Sequence, residues 1–273
     1  MNAQMKPISQ RGSQWFDGLT ASMDSVNAAV PSLRIADGEL AGRACRMLLV
    51  KPDVDNHFPR ATRGEVGLLE GYGLAAAIDE AIKTDADNPH KRALIAIVDV
   101  PSQAYGRREE ALGIHQALAA AVSAYARARQ AGHPVIALLV GKAMSGAFLA
   151  HGYQANRIFA LADSGVQVHA MGKAAAARVT LRTEEELDKL AADIPPMAYD
   201  LESYASLGLL ESLLEVESAE SPSAGDIDKV RTVVAEALND IQPGDTGLER
   251  RLNGTNRGAS RLVREQLRAQ WEA

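Results

Sequence analysis

A chain of 273 residues with 47% hydrophobic and 23% charged residues can bury a sizeable core, and this composition excludes a disordered polymer. A net charge of -6 and only 4% aromatic residues leave neither a basic surface for a polyphosphate backbone nor stacking platforms for bases, so nucleic-acid binding is disfavoured. The single cysteine, Cys45, excludes an intrachain disulfide and a multi-cysteine metal site; it points to a reducing compartment, with core packing as its own role.

In chain order, Met1 to Thr20 lack the charged start, apolar run and small-residue cleavage site of an export signal. Arg127, Arg129 and His133 interrupt the longest Ala-rich region, so no stretch reaches the roughly 18 apolar residues of a membrane span. A cytoplasmic protein without a membrane partner is expected. Residues 43–50, RACRMLLV, predict a strand, Gly64 to Lys83 a helix despite three internal glycines, and residues 93–100, ALIAIVDV, a buried strand. Glu109 to Gln130 predict a long helix with Leu112, Leu118, Val122 and Tyr125 on its apolar stripe, ended by Gly132-His133-Pro134. VIALLV, residues 135–140, is the next strand; the turn GKAMSG leads into a short helix from Ala147 to Gly152, then short strands RIFALA and VQVHAM. This order predicts an α/β fold with parallel strands and crossover helices. Further helices are expected at Glu184–Ala192, Pro196–Leu207, Ile227–Asn239 and Ser260–Trp271. Residues 218–226 read as a surface loop, and residues 242–258, with Arg250, Arg251 and Arg257, as a solvated loop or a mobile basic loop at a subunit junction. The organisation expected is an N-terminal segment (1–39), a core (40–217) and a helical extension (218–273).

The chemistry concentrates between residues 93 and 180. One strand ends in Asp99-Val100-Pro101-Ser102-Gln103 and the next in Gly141-Lys142-Ala143-Met144-Ser145-Gly146-Ala147, so two strand ends face one crevice, where open α/β sheets bind ligands. A helix opening at Ser145-Gly146 would aim backbone N–H groups there, and the missing side chain of Gly146 would admit a thioester or carboxylate; a glycine at this point also serves simply as a turn. No His, Asp and Glu cluster has the spacing of a metal site.

The run VDVPSQAYGRREEALGIHQALAAAVSAYARARQAGHPVIALLVGKAMSGAFLA, followed by AMGKAAAARV, resembles the second domain of biotin-dependent carboxyltransferases, with their Asp-x-Pro-Gly-Phe loop, Gly-Ile helix and Lys-Ala-x-Gly-Gly-Ala turn. The whole chain is most similar to the gamma subunits of biotin-independent malonate decarboxylases. That resemblance implies a crotonase-like fold of stacked ββα units with additional C-terminal helices. It also implies an oxyanion hole built from backbone donors at Ser102 and Gln103 on one side and Gly146 and Ala147 on the other. Two departures stand out: Ser102-Gln103 replaces Gly-Phe, and Ser145 replaces the first glycine of the pair.

The resemblance further implies a homologous beta subunit, a transferase alpha subunit and an acyl carrier protein whose coenzyme A-like prosthetic group bears the malonyl thioester, with no cofactor held by this chain alone. Lys142, Arg107 and Arg108 are candidates for binding the carrier arm or the substrate carboxylate. Ser145 and His169, 24 residues apart, are spaced as in the Clp protease of the same superfamily, which keeps a serine hydrolase open, although Glu215 and Glu217 are the only candidates for a third member. Otherwise Ser145 and His169 are polar site residues that orient a carboxylate or relay a proton, or His169 is a hydrogen-bonded core residue. A non-catalytic organising subunit is the third reading.

Overall fold

The computed structural model describes residues 8–271, so the reading of Met1 to Thr20 falls in part, at residues 1–7, outside the described residues. Helix α1 (Arg11–Thr20) places Trp15, Phe16 and Leu19 on one face and buries all three. The next three strands, β1 (Asp24–Val26), β2 (Leu33–Leu40) and β3 (Arg43–Val50), form an antiparallel meander. Ala41 and Gly42 turn β2 into β3 with φ of 50° and 76°, the paired positive values that a two-residue hairpin of matching twist requires.

From β3 onward the sheet is parallel, through β4 (Ala93–Val100), β5 (Val135–Met144), β6 (Arg157–Leu161) and, at its edge, β8 (Ser212–Leu214). Strand β7 (Gln167–His169) pairs with the far end of β5, beyond the last residue that β6 reaches. Every residue of β4 is buried, the signature of a strand covered on both faces.

Helix α1 lies across β3, β4 and β5, while α2 (Leu68–Thr84) and α4 (Ile114–Gln130) are the crossovers and pack on each other. Packing against α4 and against β2 explains two of the glycines in α2. A Cβ at Gly71 would stand 2.6 Å from the carbonyl oxygen of Ala117, and one at Gly73 2.6 Å from Leu33.

The strands at 43–50 and 93–100 lie as expected, and the one at 135–140 runs on to Met144. The helix expected over Glu109–Gln130 is two: α3 (Arg107–Ala111) and α4, separated at Gly113, whose φ of 82° no continuous helix accommodates. The stripe changes with it, since Leu112 is exposed and the buried face carries Ile114, Ala117, Ala121, Ala124, Tyr125 and Ala128. The short helix α5 (Ser145–Ala150) starts two residues earlier than expected. Helix α6 (Lys173–Thr180) was not anticipated; α7 (Glu184–Asp193) was. Pro196–Leu207 divides into a 3-10 turn, Pro195–Met197, and α8 (Leu201–Ser206). Helix α9 (Ala224–Asp240) begins inside the stretch expected to be loop, and Ala219 there is buried, its carbonyl accepting from the Trp15 indole at 2.9 Å.

The basic stretch before α10 (Gly258–Trp271) is held to the body of the fold. The half-buried Arg251 donates to the carbonyls of Tyr153 (2.7 Å) and Ala155 (2.6 Å), Arg257 to that of Leu207, and Arg250 to Glu211 and Asp240. Burial pushes the Arg251 guanidinium down to about 10. Helix α10 itself buries no residue.

His151, fully buried, donates Nε2–H to the Ile97 carbonyl (2.9 Å), while its Nδ1 accepts from the Tyr125 hydroxyl (3.0 Å). Burial pushes the imidazole down to about 4. An unfolded chain takes up this proton near pH 6.5 and the folded one only near 4, so His151 stabilises fully above about 6.5 and its contribution fades on acidification across that window. The expected loss between pH 7 and pH 4 is about 3 kcal/mol from this group alone. Urea denaturation across the range should show that slope, and His151→Gln should flatten it; a slope unchanged in the variant would reject the assignment.

Candidate active site

The crevice begins at a fault in the β4–β5 register. Val98 faces Leu139, but Val100 faces Ala143, so β5 carries Val140, Gly141 and Lys142 opposite the single residue Asp99. The buried Asp99 carboxylate fills the fault. Oδ1 accepts from the Lys142 N–H (3.2 Å), while Oδ2 accepts from the Ser9 hydroxyl (2.5 Å) and from the Gly12 N–H in the first turn of α1 (3.2 Å). Gly141 is required here, because a Cβ would lie 2.1 Å from Asp99 Oδ1. The acid of the Asp-x-Pro motif therefore shapes the chain on both sides of the crevice without entering it.

At the end of β5, Ser145 adopts φ of 61°, the left-handed region that costs a non-glycine residue about 1–2 kcal/mol. The serine thus keeps a conformation natural to the glycine it replaces. The turn brings two donors onto one atom: Gly146 N–H and Ser145 Oγ–H both reach Oε1 of Gln103, at 3.0 and 3.2 Å. Gln103 is fixed at its backbone by parallel pairing with Val66, which accepts from the Ala104 N–H (2.7 Å) and donates to the Ser102 carbonyl (3.1 Å). Among the described residues, the N–H groups of Ser102 and Gln103 themselves donate to no protein acceptor.

Three cavities meet at this point. One of about 840 Å³ is lined by Ser102, Lys142, Ser145, Lys173 and Arg178; a second, about 440 Å³, by Ile114, Leu118, Gly146 and Leu149; a third, about 430 Å³, by Ser145, Gly146, His169, Tyr153 and Tyr204. Gln103 lines all three. Lys142 has no carboxylate partner among the described residues, whereas Lys173 is paired with Asp188.

His169 reaches the third cavity because β7 sets it opposite Met144 in register. Its Nδ1 accepts from the Met171 N–H (3.0 Å), which leaves the proton on Nε2 in the neutral ring, and the ring stacks on Tyr199 with centroids 3.8 Å apart. Burial holds it below the ordinary imidazole value.

Ser102, Gln103, Lys142, Ser145, Gly146 and His169 therefore border one connected region, and Ala147 is fully buried in the first turn of α5. Arg107 and Arg108 are not brought to it. Both sit exposed on α3 and line none of the three cavities; Arg108 donates to His57 Nε2 (2.7 Å) and lies over Phe58. His115 is exposed. Ser145 and His169 share a cavity but no hydrogen bond, since Ser145 is turned to Gln103. Glu217 donates its backbone N–H to Asp226, the Glu215 carbonyl accepts from Lys229, and neither residue lines any of the three cavities. Sequence reasoning missed Tyr199, Tyr204 and the Gln103 side chain. A polar residue where the motif carries Phe was the one signal that could have found the last.

Among the described residues no group of three or more His, Cys, Asp and Glu side chains is placed to hold a metal ion, and no helix is long and apolar enough to cross a membrane.

The family model for the malonate decarboxylase gamma subunit matches residues 61–271. A chain of a Pseudomonas malonate decarboxylase hetero-tetramer, solved in complex with coenzyme A, is 66% identical with a TM-score of 0.92, over 96% of this chain and 99% of that one. A chain of the Pseudomonas malonate decarboxylase MdcD-MdcE hetero-dimer is 65% identical with a TM-score of 0.88 over the same shares. The malonyl-S-ACP:biotin-protein carboxyltransferase MADD of Malonomonas rubra is 31% identical over 238 residues, 85% of this chain and 78% of that protein. Transcarboxylase 12S, 20% identical with a TM-score of 0.62 over 87% of this chain and 42% of that one, shares the crotonase-like carboxyltransferase fold.

Proposed function

This chain belongs to the malonate decarboxylase gamma subunit family, and from that premise we propose that it supplies one half of a site that decarboxylates a malonyl thioester, the other half coming from a homologous beta subunit. The observation that carries the proposal is the convergence of Gly146 N–H and Ser145 Oγ–H on one oxygen beside a cleft that holds Lys142, which has no carboxylate partner among the described residues. Two donors about 3 Å from a common point are the geometry of an oxyanion hole.

In the reaction, the bond from the α-carbon to the carboxylate breaks, carbon dioxide leaves, and the electron pair passes into the thioester carbonyl. The enolate oxygen is the charge that Gly146 and Ser145 would stabilise, with the unused N–H groups of Ser102 and Gln103 as further donors. Lys142 would hold the carboxylate before it leaves, and with Arg178 gives the larger cleft the positive charge that suits a phosphate-bearing arm. His169 would return a proton to carbon, forming the acetyl thioester. Arg107 and Arg108 remain candidates only for contacts outside the cleft. An acyl carrier protein with a coenzyme A-like prosthetic group, a transferase alpha subunit and a cytoplasmic setting complete the reading. They are supported by the carrier in the name of the Malonomonas relative, the multi-subunit Pseudomonas structures, and the buried free thiol of Cys45.

The non-catalytic organiser stays as a second reading because the hole already contains a protein oxygen. The test is reconstitution: the folded, monodisperse chain alone should release no carbon dioxide from malonyl thioester, and the complex should. Equal rates would remove the shared site.

A further inference from the structure

Gln103 is set into the site in a way that its backbone role does not require. Its carboxamide oxygen accepts both donors of the candidate hole, its side chain borders all three cavities, and a Cβ built on Gly146 would lie 2.3 Å from that same oxygen. The two donors are thus matched by an acceptor of the chemistry they are placed to receive, an sp² carbonyl oxygen on a flexible stem. Nothing else holds the oxygen in place: among the described residues its partners are Ser145 and Gly146 alone, and the amide nitrogen makes no hydrogen bond to protein.

We infer that Gln103 is an internal ligand of the hole, an exchangeable stand-in for the acyl oxygen, so that a thioester binds by swinging this side chain out. The inference rests on the reading of Gly146 and Ser145 as oxyanion donors. It makes Gln103 a specificity-determining residue. The hole is never left to water, and it opens only to an oxygen that outcompetes a neutral amide. An enolate does so easily, because hydrogen bonds to a charged acceptor are roughly twice as strong as those between neutral groups. A resting carbonyl gains little by the exchange. The displacement therefore weakens ground-state binding while leaving the transition state favoured.

The consequences separate KM from kcat. In the reconstituted complex, Gln103→Ala removes the competitor and should lower KM for malonyl thioester by about three- to tenfold, the factor by which the filled form outweighs the open one for hydrogen bonds of ordinary net strength. Gln103→Glu keeps the size and offers the donors a charged acceptor, so KM should rise about tenfold or more. A side chain that merely props up the loop would instead lower assembly and thermal stability in both variants and move KM in one direction. KM unchanged in Gln103→Ala, or lowered in Gln103→Glu, with the complex intact, overturns the proposal. So does a crystal structure of the complex with an acyl thioester bound in which Oε1 stays on Gly146 N–H. Failure of the hole itself would be seen separately, as full turnover in a Gly146 variant.

Discussion

Replacing Gly146 by valine should lower turnover of the assembled complex by about 100- to 1,000-fold, the usual cost of losing an oxyanion donor. The N–H survives the substitution, but the space in front of it does not. A Cβ would stand 2.3 Å from Gln103 Oε1 and 3.2 Å from Leu118 Cδ1, so the carboxamide is evicted and a branched side chain occupies the point where the acyl oxygen would lie. Because the nearest clash is with the end of a flexible side chain, folding should tolerate the change; the β-branched residue enters only at the second position of α5. The measurement is carbon dioxide release per assembled complex beside thermal melting of both proteins. Near wild-type turnover in an assembled variant would make this subunit an organiser.

The second large effect is expected from His169→Ala, a loss of roughly 100- to 10,000-fold if the imidazole returns the proton to carbon. The structure adds a sign. Because burial lowers its pKa, His169 is protonated only below the ordinary imidazole value near 6.5, so the rate of the wild-type complex should rise as pH falls through that lowered value. The alanine variant should lose this limb of the profile together with the rate. If turnover per complex persists while the melting temperature falls, the stack on Tyr199 and the bond from Met171 describe a core residue, and the proton comes from elsewhere.

Much of this site was legible in the sequence because it is written in short local motifs. Asp99-Val100-Pro101 and Lys142-Ala143-Met144-Ser145-Gly146 mark the ends of two adjacent strands, and strand order alone brings them to one crevice. What escaped was set by distant contacts. The likeness to the Clp protease puts Ser145 and His169 in one site, but nothing local in GVQVHAM says how: β7 pairs with the overhanging end of β5 while β6 stops short. The side chain of Gln103 could be seen to replace Phe, but which donors it meets depends on the φ of 61° at Ser145. Arg107 and Arg108 line none of the three cavities for a related reason: charge next to a motif says little about the direction a helix presents it. The N-terminal strands were passed over because their polar, alternating pattern is quiet beside the continuous apolar runs of β3 and β4.

The two ends of the described chain are fastened by chemically different knots. The first helix is tied by Arg11 to the carboxylates of Asp163 and Glu220, each at 2.6 Å. Although burial opposes it, the hydrogen bond from Arg11 holds Asp163 below the usual carboxylate range, so this knot is secure above that range and slackens as acid protonates it. The segment leading into α10 has carboxylate ties of its own, from Arg250 to Glu211 and Asp240, but it adds Arg251, whose acceptors are backbone carbonyls that take up no proton in ordinary acid. Falling pH would therefore weaken the Arg11 tie on the leading helix, whereas the Arg251 bonds of the trailing segment offer acid no carboxylate to protonate.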